Sequence, residues 1–185
     1  MPADDAPVIE WARWYLANGL SVIPVRADGS KAPALGRGEV EQYRERFAGP
    51  EELARWFAPH RAVGVAVVCG KVSGNLAVLD FETAGAWERW AERVRGTPVW
   101  AAVGRSPQVA TPRGGRHVYC RIRESFVTGG PLARRDQKGV LIEVRGQGHY
   151  VLAPGSPPAC HERNVPYRLV SAGWLARDRG AARAA

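Results

Sequence analysis

The chain has 185 residues, 45% apolar and 24% charged, enough for one domain with a sizeable core. Its longest apolar run, Ala62 to Cys69, falls well short of the ~18 residues of a membrane span, and no charged-then-apolar leader opens the sequence, so a soluble, cytoplasmic protein with no membrane partner is expected. Cys69, Cys120 and Cys160 are widely spaced and odd in number, which excludes a disulfide framework and a paired-cysteine zinc pattern.

In chain order, Asp4, Asp5 and Pro7 suit a helix start and Gly19 its stop, with Val8, Ile9, Trp11, Ala12, Tyr15 and Leu16 as the apolar stripe. Leu20–Val25 reads as a strand running into a polar loop, Arg26 to Gly38. A short amphipathic helix is predicted at Leu53–Phe57 and a buried strand at Val63–Val68. The turn at Gly70–Gly74 lacks the GxxxxGK[ST] spacing of a phosphate loop. A strand at Leu76–Glu82 and a helix near Ala84–Arg95 follow. Pro98–Arg123 is expected to hold strands around a Gly114-Gly115 turn, and further strands are predicted at Val140–Arg145, Tyr150–Ala153 and Tyr167–Val170. The pattern describes a single α+β domain over 1–172, with two helices on a mixed or mostly antiparallel sheet. An Ala/Arg-rich tail, 173–185, is expected to fray.

The net charge of +8 comes from 26 Lys and Arg against 18 Asp and Glu, and it is unevenly spread. Residues 101–145 hold eight Arg and one Lys against three acids, a net of +6. Such a field favours polyanions, either nucleic acid or nucleoside triphosphates. Arginine, which dominates the bases, binds phosphate with a planar bidentate fork.

Three predicted strands share one design, an apolar face and a charged one. Alternation in 78–82 puts Leu79 and Phe81 on one side and Asp80 and Glu82 on the other. In 117–122, Val118, Cys120 and Ile122 oppose His117, Tyr119 and Arg121. In 140–145, Val140, Ile142 and Val144 oppose Glu143 and Arg145. If these strands are neighbours, three carboxylates, a histidine and two arginines converge. Asp80 and Glu82 repel each other unless a cation lies between them, and converging hard oxygens suit Mg²⁺ or Mn²⁺. Ahead of His117, the turn Thr111-Pro112-Arg113-Gly114-Gly115-Arg116 combines two glycines with two flanking arginines, a composition that suits a triphosphate cradle.

In this order, the residues resemble the bifunctional primase/polymerase (prim-pol) N-terminal domain of the archaeo-eukaryotic primase superfamily. The likeness runs from about Ala12 to Val170. It rests on Tyr15-Leu16, Gly19, Ile23-Pro24, Lys31-Ala32-Pro33, Ser73-Gly74, Asp80-Phe81-Glu82, the stretch Thr111 to Tyr119, Ile142-Glu143-Val144-Arg145, Tyr150 to Pro154, and Ser156. The resemblance implies an α+β catalytic core with an RRM-like centre and template-directed nucleotidyl transfer with two metals. Asp80, Glu82 and Glu143 would be the metal-binding acids and His117 the contact to the incoming triphosphate. Arg113, Gly114, Gly115, Arg116 and Arg145 would complete the nucleotide site, with Lys31 a weaker candidate. Implied partners are a single-stranded DNA template and primer, dNTP or NTP, and a helicase or accessory domain supplied in trans. Two departures stand out: the third acid is Glu143 where Asp is common, and Gly115-Arg116-His117 replaces a Ser-x-His motif.

Two other functions fit parts of the pattern. A metal-dependent nuclease or phosphoesterase also clusters carboxylates, but needs no triphosphate cradle. A non-catalytic nucleic-acid-binding replication module would use the charge alone. Trp11 with Trp14 and Trp87 with Trp90 lie at i,i+3 and are expected to pack rather than stack on bases. His149, Cys160 and His161 fall at no recognised zinc spacing.

Overall fold

The computed structural model describes residues 1–123, 127–135 and 139–176. The described residues include the α-helices α1 (Val8–Ala17), α2 (Glu39–Gln42), α3 (Pro50–Trp56), α4 (Ala84–Val94) and α5 (Pro98–Gly104). Strands β1 (Val22–Arg26), β2 (Val63–Val68) and β8 (Tyr150–Leu152) form a small sheet in the order β1-β2-β8. The larger sheet comprises β3 (Leu76–Phe81), β4 (Gln108–Ala110), β5 (Arg116–Arg121), β6 (Gly130–Arg135), β7 (Gly139–Arg145) and β9 (Arg168–Ser171), in the order β6-β7-β3-β5-β4-β9. Every strand pairing is antiparallel, which narrows the expected mixed or antiparallel sheet to the second choice.

The six-stranded sheet is covered on both faces, so the expected division into an apolar and a charged face holds only at the strand ends. On one face Leu76, Val78, Tyr119 and Val109 join the main core with α1, α3 and the small sheet. On the other, Phe81, Val103 and Val118 pack with Leu79, Trp87, Trp90, Cys120 and Ile142 beneath α4 and α5. Asp80 therefore sits at the edge of a core, beyond the fully buried Val78.

Buried hydroxyls tie the small sheet to the segments around it. Ser73 accepts the Ser21 N–H at 2.9 Å and donates to the Val68 carbonyl at 2.5 Å. Ser156 accepts the Val65 N–H at 3.0 Å and donates to its carbonyl at 2.9 Å, while the Tyr15 hydroxyl donates to the Pro154 carbonyl at 3.0 Å. Each satisfies backbone groups that burial would otherwise leave unpaired.

Three elements depart from expectation. Pro98–Gly104 is a helix, not a strand: the Thr97 hydroxyl accepts the Trp100 N–H and Pro98 takes the first helical position, where a missing N–H costs nothing. β6 and α2 were not anticipated. β6 lies at the sheet edge, where Pro131 and unpatterned polarity are tolerated. Residues 173–176 form a 3₁₀ turn with Leu175 buried, and Arg121 stacks over Trp174 at 4.4 Å. The remainder of the expected tail, 177–185, lies outside the described residues. No helix among the described residues is long and apolar enough to cross a membrane.

Candidate active site

β3 lies between β7 and β5, and the register places Asp80 directly opposite Glu143 on one side and His117 on the other. Directly opposed residues share a face, so these three side chains form a row across the sheet. The next row is Val78 with Arg145 and Tyr119. Glu82 follows one step beyond β3, where its N–H still donates to the Leu141 carbonyl at 3.1 Å.

The row is held by charge. His117 Nε2 lies 3.4 Å from Asp80 Oδ1, and Arg145 Nε lies 3.3 Å from Asp80 Oδ2. The same guanidinium reaches Glu143 through Nη2 at 2.9 Å, bridging both acids. The Asp80 side chain is 13% exposed and that of Glu143 19%. Burial pushes the Asp80 carboxyl up, but the hydrogen bonds and charges of His117 and Arg145 outweigh it and hold the group below the ordinary aspartate value. Further out, Arg113 pairs with Glu82 at 3.8 Å and with Glu162.

A cleft of about 510 Å³ opens over this row, between the large sheet and the edge of the small one. Asp80, Glu82, Arg113, His117 and Arg145 line one side. The loop 30–33, β8, His149, His161 and Tyr167 form the other. Lys31 enters this wall with φ 61°, its carbonyl accepting the Tyr150 hydroxyl at 3.1 Å. Tyr167 packs beside His117 with ring centroids 5.8 Å apart, and burial followed by the Asp80 charge raises its phenol. Burial, then Lys31, lowers His161.

The residues of this cleft fall within a stretch, 12–181, that matches the family model of the bifunctional DNA primase/polymerase N-terminal domain. The chain belongs to the prim-pol family. No curated protein matches it. Membership assigns this prim-pol domain a primase/polymerase role of the nucleotidyltransferase type, acting on DNA and nucleotides, in a family that is generally metal-dependent.

The prim-pol cleft does not gather every residue expected there. Arg116 lies opposite Phe81 in register, on the far face from His117, with its guanidinium 5.0 Å over Trp87 and 3.4 Å from the Gln108 side-chain oxygen. Adjacent strand residues point to opposite faces, so Arg116 and His117 cannot enter one site together. The glycines are required by the fold itself. A Cβ on Gly115 would lie 1.9 Å from the Phe81 carbonyl oxygen, and Gly114, at φ 79°, donates its N–H to the Thr111 carbonyl at 2.9 Å. That donor belongs to the turn. The cleft does include Lys31, the weaker candidate, and it gains His149, His161 and Tyr167. Lys31 lies in a quoted motif; the other three carry no spacing signal and reach the cleft through tertiary packing of 146–167.

The donor set suits a divalent cation in part. Asp80 and Glu143 are hard oxygen ligands already sharing one cationic partner, so a positive charge is accommodated between them. Glu82 is engaged by Arg113, and among the described residues no three His, Cys, Asp or Glu groups surround one point.

Proposed function

We propose that this domain is the catalytic core of a template-directed nucleotidyl transferase, which extends primers on single-stranded DNA and needs a partner domain to initiate them efficiently. The observation that carries this reading is the row Glu143–Asp80–His117, of which Asp80 and His117 line the floor of a cleft that also presents Lys31, Arg113 and Arg145. Mg²⁺ or Mn²⁺, two ions in all, would be held by Asp80, Glu143 and a Glu82 released from Arg113; bound there, they lower the pKa of the primer 3′-hydroxyl and stabilise leaving pyrophosphate.

The protein's own groups do the rest. Arg145 neutralises Asp80 and Glu143, and Arg113 neutralises Glu82. When other positive charge meets those acids, both guanidiniums are freed within the cleft to bind triphosphate oxygens. His117 holds Asp80 in place through Nε2 and lines the cleft beside it, against the incoming nucleotide. Lys31 supplies a further cation from the facing wall.

The test is incubation with a labelled primer–template, dNTPs and Mn²⁺. Extension by the wild type and background signal from Asp80→Asn support the reading. Shortening of the labelled strand would assign a nuclease instead. Wild-type extension by Asp80→Asn would remove the row from the chemistry.

A further inference from the structure

A second surface lies on the opposite face of the six-stranded sheet, beneath α4. Trp90, Arg89, Arg93, Ala86, Leu141 and Ile142 enclose a recess of about 250 Å³ between α4 and β7. Trp90 is half-buried and rests on Phe81 with ring centroids 5.1 Å apart, so its position is fixed from below while it lines the recess. Arg89 and Arg93 are exposed, on successive turns and therefore about 5–6 Å apart. No carboxylate pairs with either among the described residues. Glu92, three residues after Arg89, is its neighbour on the exposed side of α4, yet no ion pair joins the two, and Glu88 lies further round the helix. Arg134, opposite Val140 on the edge strand β6, is a further exposed cation on the strand next to β7.

We infer that this recess binds single-stranded nucleic acid, one unstacked base lying against Trp90 while Arg89 and Arg93 hold the flanking phosphates. A rigid aromatic floor with two arginines beside it that pair with no carboxylate among the described residues is the chemistry of sequence-tolerant single-strand binding. The size of the recess favours this occupant. It admits one planar ring system, whereas an acidic peptide would need a longer groove for several side chains. The arginines repeat along the helix, as phosphates repeat along a strand. Because the recess faces away from Asp80, its occupancy does not depend on transfer chemistry in the cleft.

The experiment is equilibrium binding of fluorescein-labelled oligo(dT) to the full chain in EDTA, where no turnover occurs, across a salt series. Arg89→Gln/Arg93→Gln alters exposed side chains and leaves the core intact. It should weaken binding at least several-fold and reduce the slope of log Kd against log salt by about 1.4, the loss of two single-strand phosphate contacts. Trp90→Leu, checked for folding by circular dichroism, should weaken binding between about 5-fold and 150-fold, as loss of one base–aromatic stack does. Wild-type affinity and slope in the double arginine variant would overturn the proposal even if Trp90→Leu unfolds. So would a poly-glutamate peptide that binds through Arg89 and Arg93 while oligo(dT) does not, since the face would then serve an acidic protein. Primer extension in Mn²⁺ reports separately on the cleft, so failure of one reading leaves the other measurable.

Discussion

Replacing Arg145 by Met keeps most of the side-chain stem and removes the one guanidinium that bridges Asp80 and Glu143. At 3.3 and 2.9 Å and an effective dielectric of about 20, each gross attraction is roughly 5–6 kcal/mol before desolvation. The net loss is far smaller. Arg145 is 30% exposed, which places the bridge between surface pairs, worth roughly 0–1 kcal/mol, and buried ones, whose breakage costs roughly 3–5 kcal/mol. A net of about 2 kcal/mol follows, or about 4–8 °C in Tm for a chain of this length. Two mostly buried carboxylates would then face each other across β3 and β7 with no guanidinium between them. Thermal unfolding in EDTA should show this deficit. Addition of Mn²⁺ should raise the Tm of Arg145→Met by more than that of the wild type, in which the metal must first displace the guanidinium. Equal Tm values in EDTA, or equal increments with Mn²⁺, would refute the account of Arg145 as the stand-in cation.

Two further outcomes are expected away from the row. Glu52, bonded to Arg46 at 2.7 Å and to the Tyr43 hydroxyl at 2.6 Å, is lowered to about 2 chiefly by the Arg46 hydrogen bond. Its folded pKa lies below its ordinary value of 4.5, so the unfolded chain binds the proton more readily, and the contribution to stability is present above that value and lost as pH falls from 4.5 towards 2. Glu52→Gln should flatten this part of the acid limb of a Tm–pH curve; an unchanged limb would count against the triad. Gly115→Ala should destabilise the fold by about 2 kcal/mol or more, because its Cβ meets the Phe81 carbonyl oxygen, a backbone atom that cannot rotate away. Urea unfolding that matches the wild type would show that the turn shifts freely.

The site was legible where strand alternation alone decides the outcome. Asp80, Glu143, Arg145 and His117 were expected to share a face if their strands were neighbours, and the register brings them together. Arg116 was misplaced because charge composition was weighted over periodicity: next to His117 in a strand, it had to point the other way. α5 was missed although Thr97-Pro98 is a helix-start signal, because the surrounding Val and Trp residues read as strand. β6 was missed because an edge strand carries no apolar alternation to detect. His149, His161 and Tyr167 reach the cleft through packing between sheets, which no local pattern encodes.

The division of the arginines follows from the same alternation. The +6 segment looks in sequence like one basic surface, yet the fold distributes it. Arg113 and Arg145 line the cleft, Arg116 lies over Trp87 beneath α4, Arg121 lies over Trp174, and Arg134 stands at the open edge. Within the cleft the positive charge is matched by Asp80, Glu82 and Glu143, so net attraction for a polyanion there is weak until those acids are otherwise neutralised. On the far face, Arg89 and Arg93 have no such partners among the described residues, so their field is open to phosphate without prior neutralisation of an acid. If both proposals hold, a strand is held at the back of the sheet before the cleft is charged for nucleotide, and the expected outcome is DNA binding that is independent of Mn²⁺ and triphosphate binding that depends on it.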